Sequence, residues 1–401
     1  MPQRISRGHE WLIILALLSL NIVEQAASVV NATIPGMAKS FPAQSLVHIE
    51  LVATVVSVFV TIFVLISGAV VRQIGQKQTA ILGLLIATIS SVVPAMANNF
   101  TVVLVSRAVF GIGIGLANPL AISMIGVFFT GERRARLMGW RSAVAGIGTA
   151  IMTYVAGKLL LFGWHQAYWV YLLFLPTLLL FVFFVPDPEK VGLVTLKPKD
   201  EGWQATTNQA MGKNPSGLII MYAVLIFLLL VLTMVFAVKL PTFFVQSGIG
   251  SATQASTTWS IVNVTTVIGG FIFGPVYKKL GKYVLPLSLV LGGLCIFLIG
   301  ISHSVLMVQV IAGISGIASS LAIPYIFERV SEVSSSQRAP FYTSIVLVGS
   351  NLGSFLSPYA GEILGTTAKA TIIHAGICEI VLAIIILVAV LFMKKSPQTM
   401  E

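Results

Sequence analysis

Apolar runs long enough to cross a bilayer follow one another along almost the whole chain, separated by short polar breaks. A hydrocarbon core of ~30 Å needs about 20 apolar residues in a helix rising ~1.5 Å per residue. By that measure the pattern predicts twelve spans, at 11–33, 50–71, 78–97, 101–127, 138–160, 166–186, 217–240, 255–277, 283–302, 305–327, 341–363 and 370–393. One polar break is long, from Asp187 to Pro215, and it falls between the sixth span and the seventh. The expected organisation is an N-terminal six-helix bundle over 1–186, a linker over 187–215 and a second six-helix bundle over 216–401. The fold class is therefore an all-α integral membrane protein with twelve transmembrane helices in two six-helix pseudo-repeats.

Composition strengthens this picture. Of 401 residues, 57% are hydrophobic and only 9% charged, with a mean hydropathy of +0.97, which excludes a soluble globular domain. Arg4 and Arg7 before the apolar run from Trp11 resemble the start of a signal peptide. Without a clear small-residue cleavage site after it, that run reads as an uncleaved first span. The net charge of +11 raises the question of a polyanionic partner, but its placement answers it. Nineteen of the 24 Lys and Arg residues fall on the side that holds both termini, against Lys39, Lys158, Lys239 and Lys369 on the other, with Arg107 inside a span. Basic loops stay in the cytoplasm, so the expectation is a multi-pass plasma-membrane protein with both termini cytoplasmic and no nucleic-acid partner. Cys295 and Cys378 both lie in apolar spans and read as isolated thiols. A phosphate-binding loop, a Cys/His cluster and paired carboxylates in a soluble domain are all missing from the sequence, so no enzyme, metal site or cofactor is expected. Gly111, Gly113 and Gly115 follow no strand and so do not suggest a nucleotide site.

The halves repeat each other. The loop after span 2 has Gly68, Arg72 and Gly75, and the loop after span 8 has Gly274, Lys278 and Gly281, in both cases Gly-x-x-x-basic-x-x-Gly. Asn118-Pro119 in span 4 is likewise answered by Ile323-Pro324 in span 10. Twelve spans, the six-plus-six split and the short glycine-bounded loop between spans 2 and 3 resemble the major facilitator superfamily over nearly the whole chain. Leu104 to Gly115 resembles that family's Arg-x-x-x-Gly-x-Gly pattern, with Arg107 as the arginine, and Asn31 to Pro35 is similar to the end of span 1 in drug/proton antiporters. Span 5 keeps Gly148 and Gly157 of the antiporter pattern but lacks its Gly-Pro step. The family's loop carries an acid where Arg72 stands, so the lock that this acid makes is expected to be absent or built differently here.

Two ionisable residues interrupt the apolar runs most sharply, Glu24 in span 1 and Arg107 in span 4. A charge at that depth costs roughly 2.5–3.5 kcal/mol on insertion scales, so it normally faces a polar interior and has a partner. Asn21, Glu24, Ser28 and Asn31 step by 3, 4 and 3, which puts them on one helical face, and Arg107, Gly111, Ile114 and Asn118 share another. The resemblance implies that spans 1, 4, 7 and 10 surround a central cavity. Glu24 and Arg107 then read as a proton-coupling pair, with a static ion pair or separate roles as the alternatives. Candidate cavity residues are Asn21, Ser28, Asn31, Phe110, Asn118, Tyr222, Phe236, Trp259, Asn263, Tyr325 and Asn351, set against ordinary packing for each aromatic taken singly. Ser350, Ser354 and Ser357 in span 11 and the Ser142/Gly146/Thr149/Thr153/Gly157 face of span 5 read better as close helix packing. Glu379 and His374 fall in span 12, which the resemblance makes peripheral, and Glu328 and Arg329 end span 10 as loop salt bridges.

The reading that results is a monomeric secondary transporter working by alternating access, taking a small-molecule substrate and protons across a lipid bilayer. Proton-coupled efflux of amphipathic or drug-like compounds is the first expectation. Proton- or anion-coupled uptake of an organic acid or other small nutrient, with Arg107 gripping a carboxylate, is the alternative.

Overall fold

The computed structural model describes residues 7–190, 216–333 and 339–392, with the side chains of 7–9, 24, 135, 216 and 339–341 outside the description. Most of the expected linker, 191–215, also lies outside it. All regular elements among the described residues are helical. In chain order they are α1 (Arg7–Gln25), α2 (Ile34–Ser40), α3 (Leu46–Ile74), α4 (Gln76–Val92), α5 (Phe100–Phe128), α6 (Gly131–Leu159), α7 (Trp164–Ala167), α8 (Phe174–Phe184), α9 (Ser216–Gln246), α10 (Ala252–Leu280), α11 (Val284–Gly300), α12 (Val305–Val333), α13 (Ala339–Leu364) and α14 (Ala368–Phe392).

These elements make up the twelve spans. Residues 252–300 are helical almost without interruption, a length more than twice the ~30 Å of a hydrocarbon core. Gly281, at φ +51°, divides them into α10 and α11, and Gly75, at φ +89°, caps α3 before α4 in the same way. Both are the closing glycines of the repeated loop, placed where a side chain would be strained. Polar residues at the opposite loops start the helices. Ser45 caps α3 through His48 N, Asn99 caps α5 through Thr101 N at 2.8 Å, and Ser251 with Gln254 forms a capping box on α10. Large apolar side chains such as Phe183, Phe271, Leu306 and Ile363 point outward, as a lipid solvent requires.

Span 1 departs from expectation. The sequence reads as one straight helix over 11–33, but α1 ends at Gln25 and the chain runs through two short 3-10 turns into α2, with a bend of 50°. The face shared by Asn21, Glu24, Ser28 and Asn31 is therefore split at the break. The apolar pattern carries no trace of it, because no Pro or Gly marks the site. What sustains it is tertiary, since Ala27 O, and Ala26 O beside its bond from Val29 N, accept from side chains of other helices.

Helices α1–α8 form one bundle and α9–α14 the other, and the repeat is visible in their packing. α3 and α4 both lie on α5, as α10 and α11 both lie on α12. Glycines set how closely they approach. A Cβ on Gly111 would stand 2.5 Å from Val56 O of α3, and one on Gly316 would stand 2.7 Å from Val262 O of α10. Gly113 is wedged equally against α4, with Ala87 N 2.5 Å from where a Cβ would be. Without a hydrophobic drive between helices in lipid, this close backbone packing is what holds them. Gly113→Leu is expected to force α4 and α5 apart and cost about 1–3 kcal/mol, measured as a lower thermal unfolding temperature in detergent. Gly139→Leu, with nothing within 4 Å of that position, should leave it unchanged.

Candidate functional site: the interface between the two bundles

The bundles meet along α3 with α13 and along α6 with α10. Their bonds lie in the half of the molecule away from the chain termini, here called the distal end. Ser256 donates to Thr153 O at 2.6 Å, Ser260 to Ala150 O at 2.8 Å and Thr54 to Phe355 O at 3.4 Å. Gly157 packs on Ser256 and Gly146 on Val267, which gives the small residues of span 5 the packing role expected for them. Toward the termini, Gly68, Gly139, Gly270 and Gly274 have nothing within 4 Å of a built Cβ. Among the described residues, these bonds join the two halves at the distal end, and the four glycines toward the other end meet no neighbour.

Beneath that closure lies a cavity of about 10 Å³, lined by Ser28, Asn31, Thr153, Ala237, Leu240 and Trp259 among others. That is room for no more than one water. Its polar lining is not satisfied: among the described residues Asn31 Oδ1 and Trp259 Nε1 have no hydrogen-bond partner, nor does Asn263 Nδ2 one turn along α10. Phe236 closes over Trp259 edge to face, with ring centroids 6.0 Å apart. An acceptor and donors of this kind, buried beside aromatic faces, suit an amphipathic molecule with a few polar groups.

The structure brings together Ser28, Asn31, Phe236, Trp259 and Asn263 from the sequence-predicted cavity set, and not the rest. Asn21 is fully buried, donates to Leu17 O and Leu18 O, and accepts from Arg141 Nε of α6. Phe110 sits in the core of the first bundle, 5.2 Å from the Tyr171 ring and stacked on Phe174. Asn118 is half-buried in α5, and Asn351 bonds back to Leu347 O of its own helix. Tyr222 and Tyr325 are packed in the core of the second bundle, in the half nearer the termini.

Arg107 is fully buried, and its described partners are neutral. Nε donates to Val52 O at 3.1 Å, Nη2 to Ala27 O at 2.7 Å and Nη1 to the Tyr171 hydroxyl at 3.2 Å, which in turn donates to Ala26 O. The guanidinium also lies 4.7 Å from the Phe110 ring centroid. It therefore holds the broken part of span 1 against α3 and α5. The side chain of Glu24 lies outside the described residues. Three residues before it, however, Asn21 meets Arg141, a cation that sequence reasoning placed in a cytoplasmic loop. Its position inside the predicted span 138–160 was the missed signal.

Two more buried acids stand out. Glu50 of α3 pairs with Lys239 of α9 at 2.8 Å, both within the protein, although the sequence reading placed Lys239 among the outer loop charges. Both sit at the edges of predicted spans, where composition does not separate interface from loop. Glu379 is buried between α14 and α11 against Gly292, with one carboxylate oxygen unpartnered. His374 is exposed and bonds Leu364 O. Glu332 takes bonds from Arg329 and from the Tyr277 hydroxyl.

The loop after span 2 is anchored within its own bundle. Gln76 N donates to Glu189 at 2.8 Å, Gln78 to Asp187 at 2.7 Å and Lys77 to Val182 O at 3.0 Å. Burial alone would raise the Asp187 carboxyl, but the hydrogen bond from Gln78 and the Lys190 ammonium beside it help to outweigh it and bring it down to about 2. A depressed acid keeps its contribution until pH falls to its folded value, so this anchorage holds throughout the neutral range. Arg72 is exposed, and with Gly68 open the loop carries no bond to the second bundle among the described residues.

Twelve spans in two alike bundles with a small, mainly apolar cavity between them, edged by a few polar atoms, define a membrane carrier. The sequence profile of the Major Facilitator Superfamily matches residues 16–285 and 240–401, so the chain belongs to that transporter family. It is 32% identical over 126 residues to the multidrug transporter protein MdtP of Bacillus subtilis (strain 168), covering 31% of this chain and 23% of that one. It is 29% identical over 165 residues to the methylenomycin A resistance protein of the same organism, covering 41% and 35%. The chain thus spans about a quarter to a third of these relatives. In fold it is similar to a POT family transporter solved in complex with a thioalcohol-conjugated peptide, with a TM-score of 0.76, 13% identity and 98% and 99% of the two chains covered.

If the cavity is a binding site kept polar at a cost, Asn31→Leu should raise the unfolding temperature by the equivalent of about 1–3 kcal/mol, since it removes an unpaired buried acceptor. The same change should weaken binding of any transported compound, read by whether that compound still shifts the unfolding temperature.

Proposed function

We propose that this chain is a secondary transporter that works by alternating access and exports small amphipathic, drug-like compounds in exchange for protons. It acts as a monomer in the cell membrane with both termini in the cytoplasm, and Glu24 is its coupling acid. The observation that carries the reading is the collapsed cavity between the bundles, where Asn31 and Trp259 present unpaired polar atoms beside Phe236. With the termini cytoplasmic, distal closure corresponds to a carrier shut to the outside and parted toward the cytoplasm, the state that would receive a compound for export. The names of MdtP and the methylenomycin A resistance protein, which refer to multidrug transport and antibiotic resistance, support the same direction.

The environment of Arg107 favours export over organic-acid uptake. A carboxylate carrier needs a cation free to grip its substrate, because an unpaired anion in a dry cavity is too costly. The guanidinium is already engaged by two carbonyls and a phenol and has no exposed surface.

Cells with and without the gene, challenged with lipophilic cations and antiseptics, test the proposal directly, and export predicts higher tolerance in the carriers. Glu24→Gln is expected to abolish pH-gradient-driven transport while leaving exchange or binding without a gradient. Proton-driven transport unchanged in Glu24→Gln would remove this residue from the mechanism. Arg107→Lys keeps the charge but loses the fork. It should lower thermal stability by about 1.5–3 kcal/mol for each charged hydrogen bond lost with apparent substrate affinity mostly retained. A large affinity loss at unchanged stability would favour the carboxylate carrier instead.

A further inference from the structure

Glu50 and Lys239 come from opposite bundles and meet where those bundles close. Glu50 is the fifth residue of α3, and Lys239 lies seven residues before the end of α9, both toward the distal end. Nζ is 2.8 Å from Oε1, and the side chains are 0% and 6% exposed. Gly361 of α13 makes room for the lysine, since a Cβ there would stand 3.1 Å from Lys239 Cε. One turn deeper along α3, Thr54 bonds Phe355 O of the same α13. The carboxylate is not saturated: Oε2 has no partner, and Oε1 meets the ammonium outside hydrogen-bond alignment.

Other charges near these helices do not replace either partner. On α3 itself His48 is exposed. Glu362 of α13, also exposed, acts on Glu50 through its charge, and α5 contributes Arg107, already bound to Val52 O. Lys39 of α2 and Lys369 of α14 are exposed, as is His374. Lys239 is thus the one ion-pair partner of Glu50 among the described residues.

Removing one member of a buried ion pair leaves the other as an uncompensated charge in a dry site. A proton does the same without mutation. The bundles at this end are held while both groups are charged, and an ammonium left beside a neutral acid gains by reaching water. Reaching water here means parting α3 from α9 and α13.

We propose that Glu50 is a proton-binding site of this carrier, and that proton uptake there, with Lys239 as the released partner, unlatches the distal closure between the bundles. The proton comes from distal water and bonds to Oε2. The lysine stays an ammonium, so the pair passes from neutral to a single positive charge, and loss of the proton re-forms it. This rests on the proton-coupled reading above and adds to it a second acid, in a different helix from Glu24.

The test reads opening without any substrate. Ala237, which lines the cavity, is replaced by cysteine in a chain whose Cys295 and Cys378 are changed to serine, and a membrane-impermeant maleimide is applied from the distal side. Labelling, taken at each pH relative to that of the same cysteine in the unfolded chain so that the falling thiolate fraction cancels, should quicken as pH falls, by roughly tenfold per unit until the site is filled, because each unit changes the protonated fraction tenfold. Glu50→Gln should label fast at every pH. The charge swap Glu50→Lys with Lys239→Glu should restore slow labelling at high pH together with the acceleration on acidification. Parent-like pH dependence in Glu50→Gln overturns the proposal, as does a pH-independent charge swap if Glu50→Gln fails to accumulate. Proton-driven export by the parent chain in vesicles is measured alongside. Its absence with pH-dependent labelling intact counts against the transport reading alone. Its presence with labelling indifferent to Glu50 counts against the latch alone.

Discussion

Inside a bilayer a polar group that finds no partner within the protein has none at all, and around Arg107 that constraint shapes the first bundle. An isolated guanidinium there would be costly. Break the first span, and the Ala27 carbonyl is freed, at several kcal/mol if it stays unpaired. Put together, the two problems cancel. Arg107 donates to Ala27 O, to Val52 O of α3 and to Tyr171, and Tyr171 donates to Ala26 O. Phe110 and Phe174 pack beside the cluster and keep it dry. The bend, the buried charge and the position of the tyrosine each depend on the other two.

That economy stops at the bundle interface. Within each bundle, hydroxyls bond back to their own helices or to a neighbour, as Ser67 does to Leu116 O and Ser288 to Ala318 O. Between the bundles, Asn31 Oδ1, Trp259 Nε1, Asn263 Nδ2 and both carboxylate oxygens of Glu50 are without hydrogen bonds among the described residues. Buried polar groups are normally paired, so unpaired ones at the seam mark where something else binds or where the seam opens; others, such as Glu379 Oε2 and Arg329 Nε, lie within the second bundle. Among the described residues the contacts that cross it include three hydroxyl bonds to carbonyls, one ion pair and glycines against side chains. A seam of that kind can separate without unfolding either half.

The repeated loops illustrate how a shared pattern takes different partners. Gly75 and Gly281 do the same backbone work in both halves, each at positive φ. Yet the loop at Gly75 is tied to Asp187 and Glu189 beyond α8, so its acids are supplied by a distant part of the chain, while Arg72 occupies the position where an acid was expected. The first bundle is thereby fastened to itself, and the fastening that joins the two bundles sits at the other end, at Glu50 and Lys239.

The chain's own pattern determined the twelve spans, the division into halves and the repeated glycine loops, because hydrophobic length and turn chemistry are local properties that a bilayer enforces strongly. Asn31, Phe236, Trp259 and Asn263 were conspicuous in it as polar or aromatic residues on apolar faces, and the structure places them near one another. Only the tertiary structure decided the break after Gln25, because the acceptors beside it are met by residues about 80 and 145 positions away, which no local pattern encodes. The same holds for which charge meets which. Arg141 and Lys239 read as loop cations by position along the chain, and it took the packing of α1 on α6 and of α3 near α9 to bring them to Asn21 and Glu50. Electrostatic partnership is a property of distance in space, and a span boundary drawn from hydropathy carries no information about it.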